Sequence, residues 1–208
     1  MTKFLLAAII LLAGLAASKP VLADTVSITL LGAGNTKAYG YYVGPMTANV
    51  GGSAIQVVCD DFSHNVSVGQ SWTATVNMFN NLSGTRFGSD PGAEFKYQEA
   101  AWLVDQFATH PSATGDIQFA IWSLFTPSVP TNASISAWLN LAASQNFTNY
   151  DFSGFRIFTP TSSGCNSPQE FIAKIPGAQV PEPTTLSLLG GGLAAISVLL
   201  KRNRKKVD

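Results

Sequence analysis

The chain has 208 residues, of which 12% are charged and 11% aromatic, and its formal net charge at pH 7 is zero. The charges are unevenly distributed along the chain. The stretch between Asp24 and Val180 contains five Lys or Arg residues and ten Asp or Glu residues, which gives it a net charge of −5. Such an acidic stretch argues against nucleic acid as a partner, since phosphates attract basic surfaces. Its many Ser, Thr, Asn, Gly and aromatic residues are more typical of an extracellular surface module than of a cytosolic enzyme.

The N-terminus has the three parts of a secretory signal peptide. Lys3 provides the charged part, Phe4 to Ala17 is the apolar part, and Val21 to Ala23 is a cleavage site of small residues. The apolar part is short for a membrane span. We therefore predict that residues 1–23 are a signal peptide and that the mature chain begins at Asp24.

The first third of the mature chain has the patterns of β-strands. Val26 to Leu30 and Ser71 to Met78 alternate apolar with polar residues, as a half-buried strand does. Ala38 to Val43 and Ala54 to Cys59 are short apolar runs bounded by glycine-containing turns. Each of these four segments is predicted to be a strand.

The period then changes to that of helices. Apolar residues recur at helical spacing from Tyr97 to Phe107, and Asp116 is a candidate N-cap for a second helix that Pro127 would end. A third helix is predicted over 134–143, with closing strands at 152–158 and 170–175.

These elements predict an α+β fold, with a β-rich ectodomain over residues 24–175 and a small central group of helices. About 150 residues are enough for one domain with its own hydrophobic core.

The C-terminus combines three features. The motif Pro181-Glu182-Pro183 precedes an apolar run over 184–200, and the cations of the tail follow it: Lys201, Arg202, Arg204, Lys205 and Lys206. A helix over the apolar run would be about 25 Å long, slightly less than the roughly 30 Å hydrocarbon core of a bilayer.

We predict a linker over 176–183, a transmembrane helix over 184–200 and a basic tail over 201–208. The tail should stay in the cytoplasm, because moving Lys and Arg across the bilayer is costly. The ectodomain would then lie outside.

This C-terminal arrangement, from Val180 to Lys206, resembles the PEP-CTERM sorting signal of Gram-negative bacteria. The resemblance implies recognition and cleavage by exosortase, a membrane protease. It also implies export, passage through the inner membrane during sorting, and a final place at the cell envelope surface or in the extracellular matrix.

The sequence has no nucleophile elbow, phosphate-binding loop or dinucleotide fingerprint. Asp60, Asp61 and His64 lie close together and could form a weak cation or catalytic site, or else only a polar turn at a strand end. We expect no enzyme activity, no metal and no cofactor. The alternative is an enzyme acting on envelope polysaccharide, in which Asp60 or Asp61 would need a second carboxylate; the candidates are Glu94, Glu99 and Asp105.

Three segments resemble the thioester domains of bacterial surface adhesins: Val57-Val58-Cys59-Asp60-Asp61, Tyr97-Gln98-Glu99-Ala100-Ala101-Trp102-Leu103 and Ile117-Gln118-Phe119-Ala120-Ile121-Trp122. The resemblance implies an internal thioester between Cys59 and Gln118, which an amine on a partner could capture. Such a bond must be shielded from water, which Ile121 and Trp122, together with Tyr97 and Trp102 on the preceding helix, could do.

The second cysteine, Cys165, leaves an alternative open. In an oxidising compartment, two cysteines favour a disulfide between Cys59 and Cys165, and Cys59 cannot take part in both bonds. A third possibility is that both cysteines are free thiols. The sequence thus predicts an exported binding or adhesion protein with a thioester, or a non-covalent structural matrix protein with a disulfide. The partner would be an amine-bearing surface or an exopolysaccharide.

The sorting motif gives a first testable prediction. Glu182→Ala should block removal of the tail and change the final location of the chain, because the substitution destroys the Pro-Glu-Pro motif ahead of a marginal span. Immunoblotting of membrane and extracellular fractions measures both effects. Unchanged processing and location would favour an ordinary membrane anchor.

Overall fold

Six strands close into an antiparallel barrel in the computed structural model, which describes residues 25–175. The strands of the chain are β1 (Thr25–Gly32), β2 (Lys37–Ala38), β3 (Tyr41–Tyr42), β4 (Met46–Val50), β5 (Ser53–Cys59), β6 (Ser71–Asn77), β7 (Phe155–Pro160) and β8 (Phe171–Lys174). Around the barrel they follow the order β1-β4-β5-β8-β7-β6, while β2 and β3 form a separate hairpin.

Alternating residues fill the barrel, because successive side chains of a strand point to opposite faces. Ile28 lies opposite Trp72, and Cys59 lies opposite Phe171. The rings of Trp72 and Phe171 stack with centroids 5.9 Å apart. At the end of β5, the last three residues, including Cys59, are all buried, so this part of the strand is enclosed on both faces.

Three helices lie between β6 and β7 in the chain. They are α1 (Ala93–Gln106), α2 (Thr114–Phe125) and α3 (Ala133–Ala143), with a short 3₁₀ turn over Pro111–Ala113. Asn132 caps α3, since its side chain accepts a hydrogen bond from the Ile135 amide at 2.9 Å. In α2, every residue from Ile117 to Trp122 is buried, as expected for a helix enclosed on several sides.

The predicted β-rich fold with a few helices is confirmed in outline, but three details differ. The segment 38–43 is not one strand: it is the β2–β3 hairpin, whose turn places Tyr39 and Gly40 at positive φ. The strand β4 was not predicted. Asp116 does not cap α2, because the helix begins at Thr114, and Asp116 instead lies in its first turn, where the helix dipole favours an acidic side chain.

Several predictions fall outside the described residues: the signal peptide over 1–23, the linker over 176–183, the transmembrane helix over 184–200 and the basic tail over 201–208. Within 25–175, no helix combines the length and the apolar character needed to cross a bilayer.

Gly44, between β3 and β4, occupies a position that other residues would not tolerate. Its φ is +88°, and a Cβ atom there would lie 2.5 Å from Cγ2 of Thr114 in α2. The absence of a side chain therefore lets the backbone before β4 approach the start of α2.

Gly44→Ala should lower the free energy of unfolding by about 1–3 kcal/mol or more, because backbone strain adds to a steric clash. Gly69→Ala is the matched control: Gly69 has a φ of +89°, but a Cβ atom added there would meet nothing within 4 Å. Chemical denaturation of both variants measures the difference. Equal losses would show that the contact with Thr114 contributes nothing.

Candidate functional site

The Gln118 side chain links α2 to the barrel at the end of β5. Its Nε2 donates to the Cys59 carbonyl at 2.7 Å, and its Oε1 accepts from the Gly44 amide at 3.2 Å. The β4–β5 ladder pairs Met46 with Val57, and the same register continued by two residues would place Gly44 opposite Cys59. The carboxamide thus takes the place of a backbone pairing and lies fully buried.

The Cys59 thiol is also fully buried. Its Sγ donates to the Asp61 carbonyl at 3.2 Å. Burial raises the pKa of this thiol well above its usual value, the charge of Asp60 raises it further, and the Trp122 side chain opposes the shift. Cys59 is therefore held as a thiol, and its own backbone carbonyl is the group that Gln118 contacts.

The two cysteines are both unpaired thiols in this structure. Cys59 is buried at the end of β5, whereas Cys165 is exposed in the connection between β7 and β8. The alternative of a Cys59–Cys165 disulfide is thus not what the structure contains, since one sulfur is enclosed by the core and the other faces solvent.

Aromatic rings pack together beside the pair Cys59–Gln118, since the Trp122 side chain lies near the Cys59 thiol. The ring of Trp122 lies 5.2 Å from Phe62 and 6.0 Å from Tyr41, measured between centroids, and Phe119 lies 5.1 Å from Trp122. Tyr39 packs on Phe119 at 4.9 Å. We call these five residues the aromatic cover.

A cleft of about 190 Å³ lies within the aromatic cover, with Tyr41, Phe62 and Trp122 among its lining residues. Gln169, which also lines it, donates to the Asp61 carbonyl at 3.0 Å, the same oxygen that accepts from the Cys59 thiol. One carbonyl group, that of Asp61, therefore connects a residue of the cleft wall to the Cys59 sulfur.

A buried carboxylate, Glu170, lies at the start of β8. Its Oε1 accepts from the Tyr97 hydroxyl at 2.5 Å, and its Oε2 accepts from the Arg86 amide at 2.8 Å and from the Thr159 hydroxyl. Burial raises the pKa of Glu170, while these three donors oppose the shift. The hydrogen bonds thus stabilise Glu170 as a carboxylate.

Asp60 contrasts with Glu170. It is fully buried, and within residues 25–175 no N–H or hydroxyl donor reaches either of its carboxyl oxygens. Burial raises its pKa well above the usual range, and the nearby charges of Glu170 and Asp61 and a hydrogen bond with the Glu170 side chain raise it further. Asp60 is consequently held as a neutral carboxylic acid.

Asp61 and His64, which the sequence placed near a conceivable cation site, are instead engaged with Arg86. Oδ2 of Asp61 lies 2.8 Å from Nδ1 of His64 and 2.9 Å from Nε of Arg86. Among the described residues, no group of His, Cys, Asp or Glu side chains is arranged to hold a metal ion. The polar-turn alternative fits this segment better.

Sequence reasoning found Cys59, Gln118 and Trp122, but it missed Gly44 and Glu170. The sequence places Glu170 in a predicted strand and gives it no role. Of the residues predicted to shield the bond, Trp122 lies near the Cys59 thiol. Tyr97 instead binds Glu170, and Trp102 packs near Trp138, with ring centroids 6.5 Å apart. No sequence signal connects Gly44 or Glu170 to Cys59, because the barrel pairing alone brings them together.

Comparison with known proteins supports the C-terminal prediction. Residues 179–205 match the PEP-CTERM protein-sorting motif, so the chain carries this motif, which implies export and processing by exosortase at the membrane. No curated protein matches the chain in sequence. A solved structure, the N-terminal thioester domain of a surface protein from Clostridium perfringens, is weakly similar: the TM-score is 0.44 and the identity 8%, over 73% of this chain and 98% of that one.

The hydroxyl of Tyr97 allows a test of the buried carboxylate. Tyr97→Phe should lower the free energy of unfolding by about 1–3 kcal/mol, because Glu170 loses a donor where water does not replace it. Tyr150→Phe is the control, since its hydroxyl donates to Asp105, whose side chain is 27% exposed and also pairs with Lys174. Urea denaturation should show a smaller loss for Tyr150→Phe, and the reverse order would contradict this account of Glu170.

Proposed function

We propose that this chain is an exported surface protein whose ectodomain forms an internal thioester between Cys59 and Gln118 and uses it to capture an amine-bearing partner. One observation carries the proposal: the Gln118 carboxamide is fixed by hydrogen bonds against the backbone of a buried cysteine. The sorting motif provides the export that a surface role requires.

Thioester formation would begin with attack of the Cys59 sulfur on Cδ of Gln118. Negative charge then develops on Oε1, which already accepts the Gly44 N–H; a fixed donor at this oxygen stabilises the tetrahedral intermediate. The C–N bond breaks, Nε2 leaves as ammonia, and the thiol proton is the third hydrogen of that ammonia. No other reactant is needed.

Capture would reverse the exchange with a different amine. The amine nitrogen attacks the thioester carbonyl at Gln118, an amide bond forms, and Cys59 is released as a thiol. Trp122 and Gln169 line the cleft in the aromatic cover, and Gln169 shares the Asp61 carbonyl with the Cys59 thiol, so this cleft is the nearest opening for an amine, while the rings around it limit the access of water. Each capture consumes one thioester, so we infer a binding role rather than turnover.

The polysaccharide-active alternative has less support. Asp60 is fully buried and Glu99 is 5% exposed, while Asp61 is paired with Arg86 and Asp105 with Lys174. A glycoside hydrolase needs two carboxyl groups facing one sugar. Exopolysaccharide could still be a ligand that binds without a covalent bond, and such binding would persist when Gln118 is replaced.

Intact mass spectrometry tests the thioester directly. The wild-type chain should be lighter than its sequence by one ammonia, and methylamine should then add one methylamine mass. Gln118→Ala and Cys59→Ala should lose both properties, whereas Cys165→Ala should keep them, because Cys165 is exposed and lies in a different part of the chain from the buried pair.

Gln118→Ala should still fold. The substitution leaves the Gly44 amide and the Cys59 carbonyl unpaired, at a cost of about 1–3 kcal/mol for each group, which circular dichroism during heating would reveal as a lower Tm. A wild-type mass short of two hydrogens and restored by reductant would instead establish the disulfide. A wild-type mass equal to that of the sequence would overturn the proposal.

A further inference from the structure

One buried polar group beside Cys59 takes no part in the chemistry described so far: the indole N–H of Trp122. A buried tryptophan usually donates this N–H to an acceptor, and a buried donor without one calls for an explanation. Trp122 is 2% exposed, and within residues 25–175 its Nε1 has no hydrogen-bond partner. This N–H is the only polar group of the side chain, so its use depends on what lies beside it.

Trp122 reaches the site from the same helix face as Gln118. Residues four positions apart in a helix lie one above the other on one face, so both side chains of α2 point towards the end of β5. Nε2 of Gln118 donates to the Cys59 carbonyl at 2.7 Å, while the Trp122 side chain lies near the Cys59 thiol. One face of α2 thus places one residue at the backbone of Cys59 and another beside its sulfur.

Ring packing fixes the orientation of the indole. The Trp122 ring lies 5.1 Å from Phe119 and 5.2 Å from Phe62, measured between centroids. A buried ring packed against two others does not turn its N–H to solvent without breaking these contacts. The donor is therefore already in place and needs no rearrangement when charge appears on the sulfur.

The neutral state of Cys59 explains why this donor is unpartnered. The sulfur of a thiol is a weak hydrogen-bond acceptor, whereas a thiolate accepts through its negative charge, and charge-assisted hydrogen bonds are roughly twice as strong as neutral ones. Burial and the charge of Asp60 raise the pKa of the Cys59 thiol, and the Trp122 side chain acts in the opposite direction. A donor that favours the charged sulfur has this effect.

Negative charge develops on the sulfur in both steps of the proposed chemistry. The sulfur attacks Cδ of Gln118 more readily as it approaches a thiolate. In capture, the amine nitrogen attacks the same carbon, the C–S bond breaks, and its electron pair stays on the sulfur, which then takes up the proton that the amine nitrogen loses. The Gly44 N–H donates to Oε1 of Gln118, so the sulfur needs a donor of its own.

We propose that the Trp122 N–H is the hydrogen-bond donor that stabilises the developing thiolate of Cys59, both when the thioester forms and when an amine opens it. In this role Trp122 is a catalytic residue and not only part of the shield against water. This inference rests on the proposed function and adds a residue to it.

The test removes the N–H and keeps the shape of the ring. Benzothienylalanine, in which a sulfur atom replaces the indole N–H, is introduced at position 122 of the full-length chain by amber suppression. Trp72 provides the matched control, because its Nε1 is likewise buried and unpartnered, but its ring stacks on Phe171 in the barrel. Each chain is refolded from denaturant with reductant into detergent. Intact mass spectrometry then follows the loss of ammonia and, after methylamine is supplied, the addition of methylamine.

Benzothienylalanine at position 122 should slow both ammonia loss and methylamine addition by about tenfold or more. Removing a donor to an oxyanion costs about 10²–10³ in rate, and we expect less here because sulfur is the weaker acceptor. The same replacement at position 72 should leave both rates unchanged. Thermal unfolding should show that both chains fold.

The isosteric replacement separates the N–H from the ring. A purely structural role of Trp122 would not respond to it, since the size and the packing of the side chain are retained. Trp122→Phe removes the N–H together with part of the ring, and both rates should fall in this variant too. If Trp122→Phe does not fold, the benzothienylalanine chain decides alone.

The outcomes separate the two proposals. A wild-type chain that never loses ammonia overturns the thioester and with it the role of Trp122. Wild-type rates with benzothienylalanine at position 122 overturn the role of the N–H and leave the thioester in place. Equal slowing by the replacement at position 72 also overturns that role, because the effect would then not depend on the donor beside the sulfur.

Discussion

The hydrogen bonds of the Gln118 carboxamide join the helical part of the ectodomain to its barrel. One side chain accepts from Gly44 before β4 and donates to Cys59 at the end of β5, where the ladder between the two strands has already stopped. Buried backbone groups need partners, and here a helix provides them. This amide therefore adds a polar link between α2 and the barrel to the apolar packing of the helix.

The same junction explains why Gly44 is a glycine. A side chain there would separate the β3–β4 connection from α2, and Oε1 of Gln118 would lose its donor. The clash with Thr114 and the hydrogen bond to Gln118 are thus two aspects of one close approach between backbone and helix. Stability and chemistry depend on the same geometry at this point.

The fold was predictable where the pattern is local, and the site only in part. Alternation in β1 and β6 and the helical spacing of α1 predicted those elements well, and the motif around Gln118 pointed to an amide that lies against the backbone of Cys59. The two strands of the β2–β3 hairpin are only two residues long, too short for a period to be visible. Glu170 could not be connected to Asp60 from the sequence, because their proximity arises from the pairing of β5 with β8, a contact between segments far apart in the chain.

The aromatic cover differs in kind from the barrel beneath it. The barrel is held by continuous backbone ladders, whereas Tyr39 and Tyr41 come from a hairpin that contacts α2 through ring packing against Phe119. The same hairpin contacts the start of α3, because Nδ2 of Asn132 donates a hydrogen bond to the Tyr39 hydroxyl at 2.5 Å. Each ring pair contributes about 0.5–1.5 kcal/mol beyond its buried area, so separating a ring from the cover costs far less than opening a ladder. If Cys59 and Gln118 react as proposed, the bond must be kept from water yet reached by an amine. Side chains on a short hairpin meet both requirements. The hairpin can move away from α2 while β5, which positions the sulfur, and α2, which positions the carboxamide, stay in place.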